Sequence, residues 1–146
     1  EGRGLEKDLT INKKNIRLID ESYNASPISM IKAIDYFDNL KVEKNIGKFL
    51  ILGEMKELGK DSIKYHIDLL NYIESKNLEN IIICGKLMKS ALDKKKSKKI
   101  RLMLNKENVL EYLKKNISSN DIILIKGSNS SITNEIAREL LKGKVN

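Results

Sequence analysis

Three short stretches of this chain are apolar almost without interruption, and they constrain its fold more than any other feature. They lie within Lys48–Gly53 (Lys-Phe-Leu-Ile-Leu-Gly), Asn80–Gly85 (Asn-Ile-Ile-Ile-Cys-Gly) and Asp121–Gly127 (Asp-Ile-Ile-Leu-Ile-Lys-Gly). Each is too short for a helix and lacks the alternation of a strand with one wet face, so each reads as a strand covered on both sides, as in parallel sheets. Weaker runs, Ile16–Asp20 and Ile100–Leu104, add two more candidate strands. Amphipathic segments of helical period separate them. Ser26-Pro27 opens the first, with Ile28, Ile31, Ile34 and Phe37 as its stripe. Ser62 is placed to cap the second, with Ile63, His66, Ile67, Leu70 and Ile73 on one side. A short helix is expected over Leu87–Leu92. Asn105 caps a fourth, and Ile132, Ile136, Ala137, Leu140 and Leu141 line a fifth.

Strand and helix therefore alternate five times, which predicts a doubly wound, mostly parallel α/β sheet of five to six strands with helices on both faces. Ile100–Leu104, the weakest run, is expected at an edge. At 146 residues, 40% hydrophobic and 33% charged, the chain suits one compact domain and not a disordered one. No apolar run approaches the roughly 20 residues needed to span a bilayer, and no signal peptide opens the chain. A membrane association is not expected. The absence of an initiator Met leads us to expect a piece of a longer protein. Cys84, the lone cysteine, sits inside an apolar run and reads as a core residue in a reducing cytoplasm. The net charge of +8 raises nucleic-acid binding, but the densest basic run, Lys94–Lys99, carries no aromatic or Arg for stacking and reads as a solvated connection.

In doubly wound sheets ligands sit beyond the carboxyl ends of the strands. That rule selects three polar loops: Asp20–Pro27, Gly53–Lys60 and Lys126–Ser131. The Gly53–Asp61 segment invites a phosphate-loop reading and fails it. One residue too many separates the glycines, and Asp61 stands where a hydroxyl should hold magnesium. Lys126-Gly127-Ser128-Asn129-Ser130-Ser131 precedes a helix and suits either an anion or an ordinary capped turn. Asp20-Glu21-Ser22-Tyr23-Asn24 could hold a ribose, a metal or an amine, or simply form a capped turn. His66 is the only histidine, so histidine acid–base chemistry must use it, but its apolar neighbours favour a buried structural role. With no His/Cys cluster, a zinc site is not expected. A phospho-receiver is disfavoured because Gly85 stands where its Asp belongs after the third strand.

Taken together, Gly2-Arg3, the segment Ile19-Asp20-Glu21-Ser22-Tyr23-Asn24-Ala25-Ser26-Pro27 with Ser29-Met30, Gly53-Glu54-Met55-Lys56-Glu57-Leu58-Gly59 with His66 downstream, and Lys126-Gly127-Ser128 resemble the C-terminal domain of Mur ligases. The likeness is to the branch that joins D-alanyl-D-alanine to UDP-N-acetylmuramoyl-tripeptide, and it covers nearly the whole chain. Ser26, Glu54 and Asn129 depart from the family's common Asn, Asp and Arg. The resemblance implies a Rossmann-like domain over 16–146, with 1–15 a linker from a central ATPase domain that would hold most of the ATP and Mg2+. It implies a cytoplasmic, monomeric peptidoglycan ligase working through an acyl phosphate, inactive as this domain alone. It assigns Arg3, Asp20, Tyr23 and Asn24 to ATP, and Gly53, Glu54, Met55, Lys126, Gly127 and Ser128 to the incoming dipeptide. Folylpolyglutamate synthase-like ligases are the related alternative. A stand-alone flavodoxin-like module is the unrelated one.

Overall fold

A computed structural model describes residues 4–142, 144 and 145. Among these residues seven strands form one sheet in the order β5-β4-β3-β6-β2-β1-β7. The five strands anticipated from the apolar runs are β2 (Lys14–Glu21), β3 (Lys48–Leu52), β4 (Asn80–Cys84), β5 (Ile100–Met103) and β6 (Ile122–Lys126). Each pairs parallel with its neighbour among them. β5 lies at one edge, as its weak apolar character suggested.

The other edge differs from expectation. β1 (Leu5–Ile11) runs antiparallel to β2 with Ile11 opposite Lys14, so most of the segment expected to be linker is sheet. Only Leu9 and Ile11 of β1 are buried hydrophobics, which is why it shows no continuous apolar run. The two residues of the β1–β2 turn, Asn12 and Lys13, both take positive φ (49° and 68°). That is the backbone of a tight hairpin whose twist matches the strands, reached here without glycine. The two-residue β7 (Lys144–Val145) pairs parallel with β1. The sheet thus exceeds the expected five to six strands by these edge additions.

Helices α1 (Pro27–Asn39), α2 (Ser62–Glu74) and α3 (Lys86–Lys95) cover one face through Ile34, Phe37, Leu70, Ile73 and Met88. Helices α4 (Lys106–Asn116) and α5 (Ile132–Leu141) cover the other through Val109, Leu113, Ile136 and Leu140. Burial of these apolar faces, at about 25 cal/mol per Å2, is the main force holding the layers together. Two details correct the helix reading. Ile28 is 70% exposed, and Met30 and Ala33 join Ile34 and Phe37 in the core. Ser62 is the first helical residue of α2 and not its cap, the cap position falling to Asp61 after the short 3-10 turn Gly59–Asp61. Ser26 and Asn105 do cap: each accepts a backbone N–H three residues on, and Ser29 completes a capping box with Ser26.

The connections place the site. β2 and β3 lead into helices on one face, whereas β6, lying between them, leads into α5 on the other. Chains leaving adjacent strand ends toward opposite faces open a crevice there, where such sheets bind ligands.

Candidate functional site at the carboxyl rim

The three loops singled out in the sequence follow β2, β3 and β6, which are adjacent, so they meet. The β3–β6 ladder continues beyond both strands: Gly53 N–H donates to the Lys126 carbonyl (2.7 Å) and Ser128 N–H to the Glu54 carbonyl (2.9 Å). Lys56 N–H then donates to Ser128 Oγ at 2.9 Å. The backbones approach this closely because Gly53 and Gly127 lack side chains. A Cβ on Gly127 would lie 2.1 Å from Thr133 Oγ1 and 3.0 Å from Gly53 Cα, and one on Gly53 would lie 2.6 Å from the same hydroxyl. Those two glycines therefore serve packing of the loops against the start of α5.

Buried polar side chains fix the loops from beneath. Lys126, 5% exposed, donates to the Asn24 carbonyl (2.8 Å) and pairs with Glu21 (3.4 Å), joining the end of β6 to the loop after β2. Its charge is turned inward, where the sequence suggested a group aimed at an anion. Glu54 is also buried: Oε2 accepts Leu87 N–H at 2.6 Å, and Oε1 pairs with Lys56 at 3.5 Å. It thereby supplies the first turn of α3 with the acceptor that its N-cap, Gly85, cannot offer. Gly85 takes φ +106°, and a Cβ there would lie 2.4 Å from the Glu54 side chain.

His66 is fully buried. Nε2 accepts Met55 N–H (3.0 Å) and Nδ1 lies 2.6 Å from the Ser62 carbonyl, so the proton belongs on Nδ1 and the ring is neutral. Burial holds its pKa below the ordinary range, outweighing the opposite pull of the Ser62 carbonyl and the Glu54 carboxylate. This is the structural histidine its neighbours suggested: it fixes the loop that carries Met55, itself buried. Burial, assisted by Glu54, pushes the Cys84 thiol up to about 12, which leaves it an inert core group.

Tyr23, Asn129 and Arg138 are exposed. A hollow of about 260 Å3 is lined by Asp20, Ser22, Tyr23, Asn129, Asn134 and Arg138, among others. Asp20 accepts Ser22 N–H at 2.9 Å, and the Arg138 guanidinium is held by Asn134 Oδ1 at 2.6 Å. Asn134 also reaches the Ser22 carbonyl at 3.4 Å. The hollow offers an aromatic ring, amides and a fixed cation, a set suited to the planar and hydroxylated parts of a nucleotide. Asp20 and Tyr23 are brought together here. Asn24 instead turns its Oδ1 back onto Ala25 N–H. Arg3 lies outside the described residues. Asn134 and Arg138 went unnoticed in the sequence, where their only signal is i,i+4 spacing on the polar side of α5. A larger concavity, about 680 Å3, opens at the opposite end of the sheet between β1, β2 and Asn120. It holds none of the expected site residues. Among the described residues no three His, Cys, Asp or Glu side chains cluster as a metal site would require.

The fold and the crevice define a doubly wound α/β domain with a polar rim where three strand ends meet. The sequence profile of the Mur ligase, glutamate ligase domain family matches residues 9–129, and the chain belongs to that family. It is 35% identical over 121 residues to the UDP-N-acetylmuramoyl-tripeptide–D-alanyl-D-alanine ligase of Rickettsia prowazekii, covering 81% of this chain and 26% of that protein. The Bacillus subtilis ligase of the same name is 29% identical over 143 residues, covering 95% of this chain and 31% of that protein. The chain thus spans between a quarter and a third of the length of these curated relatives. Its fold matches that of a MurF ligase from Thermotoga maritima in complex with ADP, with a TM-score of 0.77 over 97% of this chain and 31% of that one, at 23% identity.

Proposed function

We propose that this chain is the C-terminal domain of an ATP-dependent amide ligase that adds D-alanyl-D-alanine to UDP-N-acetylmuramoyl-tripeptide in peptidoglycan synthesis. The observation that carries it is the convergence of the three loops on one crevice, in a chain whose relatives bear that name and are three to four times longer. The rim supplies donors and acceptors to a site that would close against a central domain. Tyr23 (44% exposed) and Ile28 leave apolar area open on the loop after β2 and the start of α1, which a neighbouring domain would cover.

In this reading ATP phosphorylates the tripeptide carboxylate on the central domain, and the dipeptide amine then forms the amide bond as phosphate leaves and the nitrogen gives up a proton. Mg2+ would shield the phosphates there. Asp20, Tyr23, Asn134 and Arg138 line the nucleotide side, and the family resemblance assigns Arg3 to ATP as well. Ser128 and the loop from Gly53 to Gly59 receive the dipeptide, with Lys56, 43% exposed at its side chain, as the cation offered to its carboxylate. Lys126 and Glu54 act from below by holding those loops in place. Closure would exclude water from the acyl phosphate. The enzyme would be a cytoplasmic monomer.

The test joins this chain to the N-terminal and central domains of the Bacillus subtilis relative and measures ADP release. Release should require D-alanyl-D-alanine together with the tripeptide substrate, and the isolated chain should release none. Turnover by the isolated chain, or a fusion that accepts glutamate on a folate in place of the dipeptide, would overturn the reading.

A further inference from the structure

The net positive charge of this chain arises in one segment. Between Lys86 and Lys106 there are nine basic residues and one acid, Asp93. The whole chain has 28 basic and 20 acidic residues, so this segment holds the entire net +8 and the remainder carries 19 of each sign. The segment runs through α3, the connection after it and β5, the edge strand farthest from β1 and β7, to the first residue of α4. Lys94, Lys96 and Lys98 are exposed, and among the described residues neither they nor Lys95 enter an ion pair. Asp93, the one acid, is already taken by Lys89 at 3.3 Å.

We propose that this edge is a docking surface for an anionic phospholipid membrane. Two observations favour lipid over nucleic acid. Ring stacking is not on offer: the run Lys94–Lys99 has no aromatic, the segment's single Arg101 lies over the Tyr112 ring at 5.3 Å, and that ring face is thereby covered. Leu104, 48% exposed, follows β5 on the same edge, at the opposite end of that strand from the Lys94–Lys99 run. Exposed lysines on an edge that also carries an exposed leucine suit a diffuse negative surface with an apolar interior. β5 lies three strands from β6, so the carboxyl-rim crevice remains open while the edge is engaged. The lack of a membrane-spanning run, which led to the expectation of no membrane association, does not bear on binding of this kind.

The test is co-sedimentation of the 146-residue chain with vesicles of phosphatidylglycerol and phosphatidylcholine, against phosphatidylcholine alone, at low salt. Binding should need the anionic lipid and vanish in 0.5 M NaCl. Lys94→Gln/Lys95→Gln/Lys98→Gln should weaken it about a hundredfold, at roughly 1 kcal/mol for each lysine near the surface. Lys32→Gln/Lys41→Gln/Lys44→Gln, with the same change in net charge, should weaken it less than threefold. Leu104→Ser should weaken binding severalfold at unchanged charge. Circular dichroism confirms that each variant is folded. Equal losses in the two lysine triples, no preference for anionic vesicles, or tighter binding to a DNA duplex at the same ionic strength would overturn the proposal.

Discussion

Strand β6 ends in a buried charge on each side, and the two ends do different work. Before its first residue, Asp121 (3% exposed) accepts Gly47 N–H and Ser118 N–H, both at 2.7 Å, while its carbonyl accepts Arg17 N–H. Every partner is backbone, so the carboxylate closes the amino end of the sheet and presents nothing outward. At the last residue, Lys126 binds Asn24 and Glu21 and so steadies a loop whose Tyr23 faces the rim hollow. The same device, a buried charge bridging two segments, seals one end and positions a surface at the other. What separates them is the far side of the loops: backbone turns at the amino end, polar and aromatic side chains at the carboxyl end.

The largest effect should come from Gly127→Ala. Its methyl cannot coexist with Thr133 Oγ1 at 2.1 Å, and α5 must shift. We expect a loss of about 3 kcal/mol or more in urea unfolding, or no folded protein. Asp121→Ala and Lys126→Met sharpen the comparison next. Each should cost about 2–3 kcal/mol by stranding buried partners. In the fused enzyme, however, Asp121→Ala should leave KM values unchanged, whereas Lys126→Met should raise the KM for ATP or dipeptide at least fivefold. Equal KM effects from both variants would erase the distinction between the two ends. The smallest effect concerns pH. Because burial keeps His66 neutral below its ordinary pKa of 6.5, the unfolded chain takes up the proton first. Stability from this group is complete above about pH 6.5 and declines as pH falls below it. His66→Gln should remove that component, seen as a shallower loss between pH 7 and 5 in urea titrations than wild type shows.

Much of the fold was legible because burial on both faces leaves a plain mark: β3, β4 and β6 are continuous apolar runs. β1 escaped notice because Glu6, Lys7 and Asp8 are exposed and its hairpin turn uses Asn12-Lys13 in place of a glycine pair. The rim loops were legible from their place after strands, and so was the buried character of His66. The inward turn of Lys126 was not, since Glu21 and Asn24 lie more than a hundred residues away in sequence. Nor was Glu54 as the acceptor for α3, a contact across 33 residues. Short-range chemistry such as the Ser26 cap can be read from neighbours; latches between distant loops become visible only once the sheet order is known.

Hydrogen exchange on the fused enzyme, with and without a non-hydrolysable ATP analogue, the tripeptide substrate and dipeptide, tests the shared-site account most directly. Ligands should protect residues 20–27, 53–60 and 126–131 together and leave 8–17 and 118–121 unchanged. Protection confined to the amino-end concavity, or absent from all three loops, would contradict it.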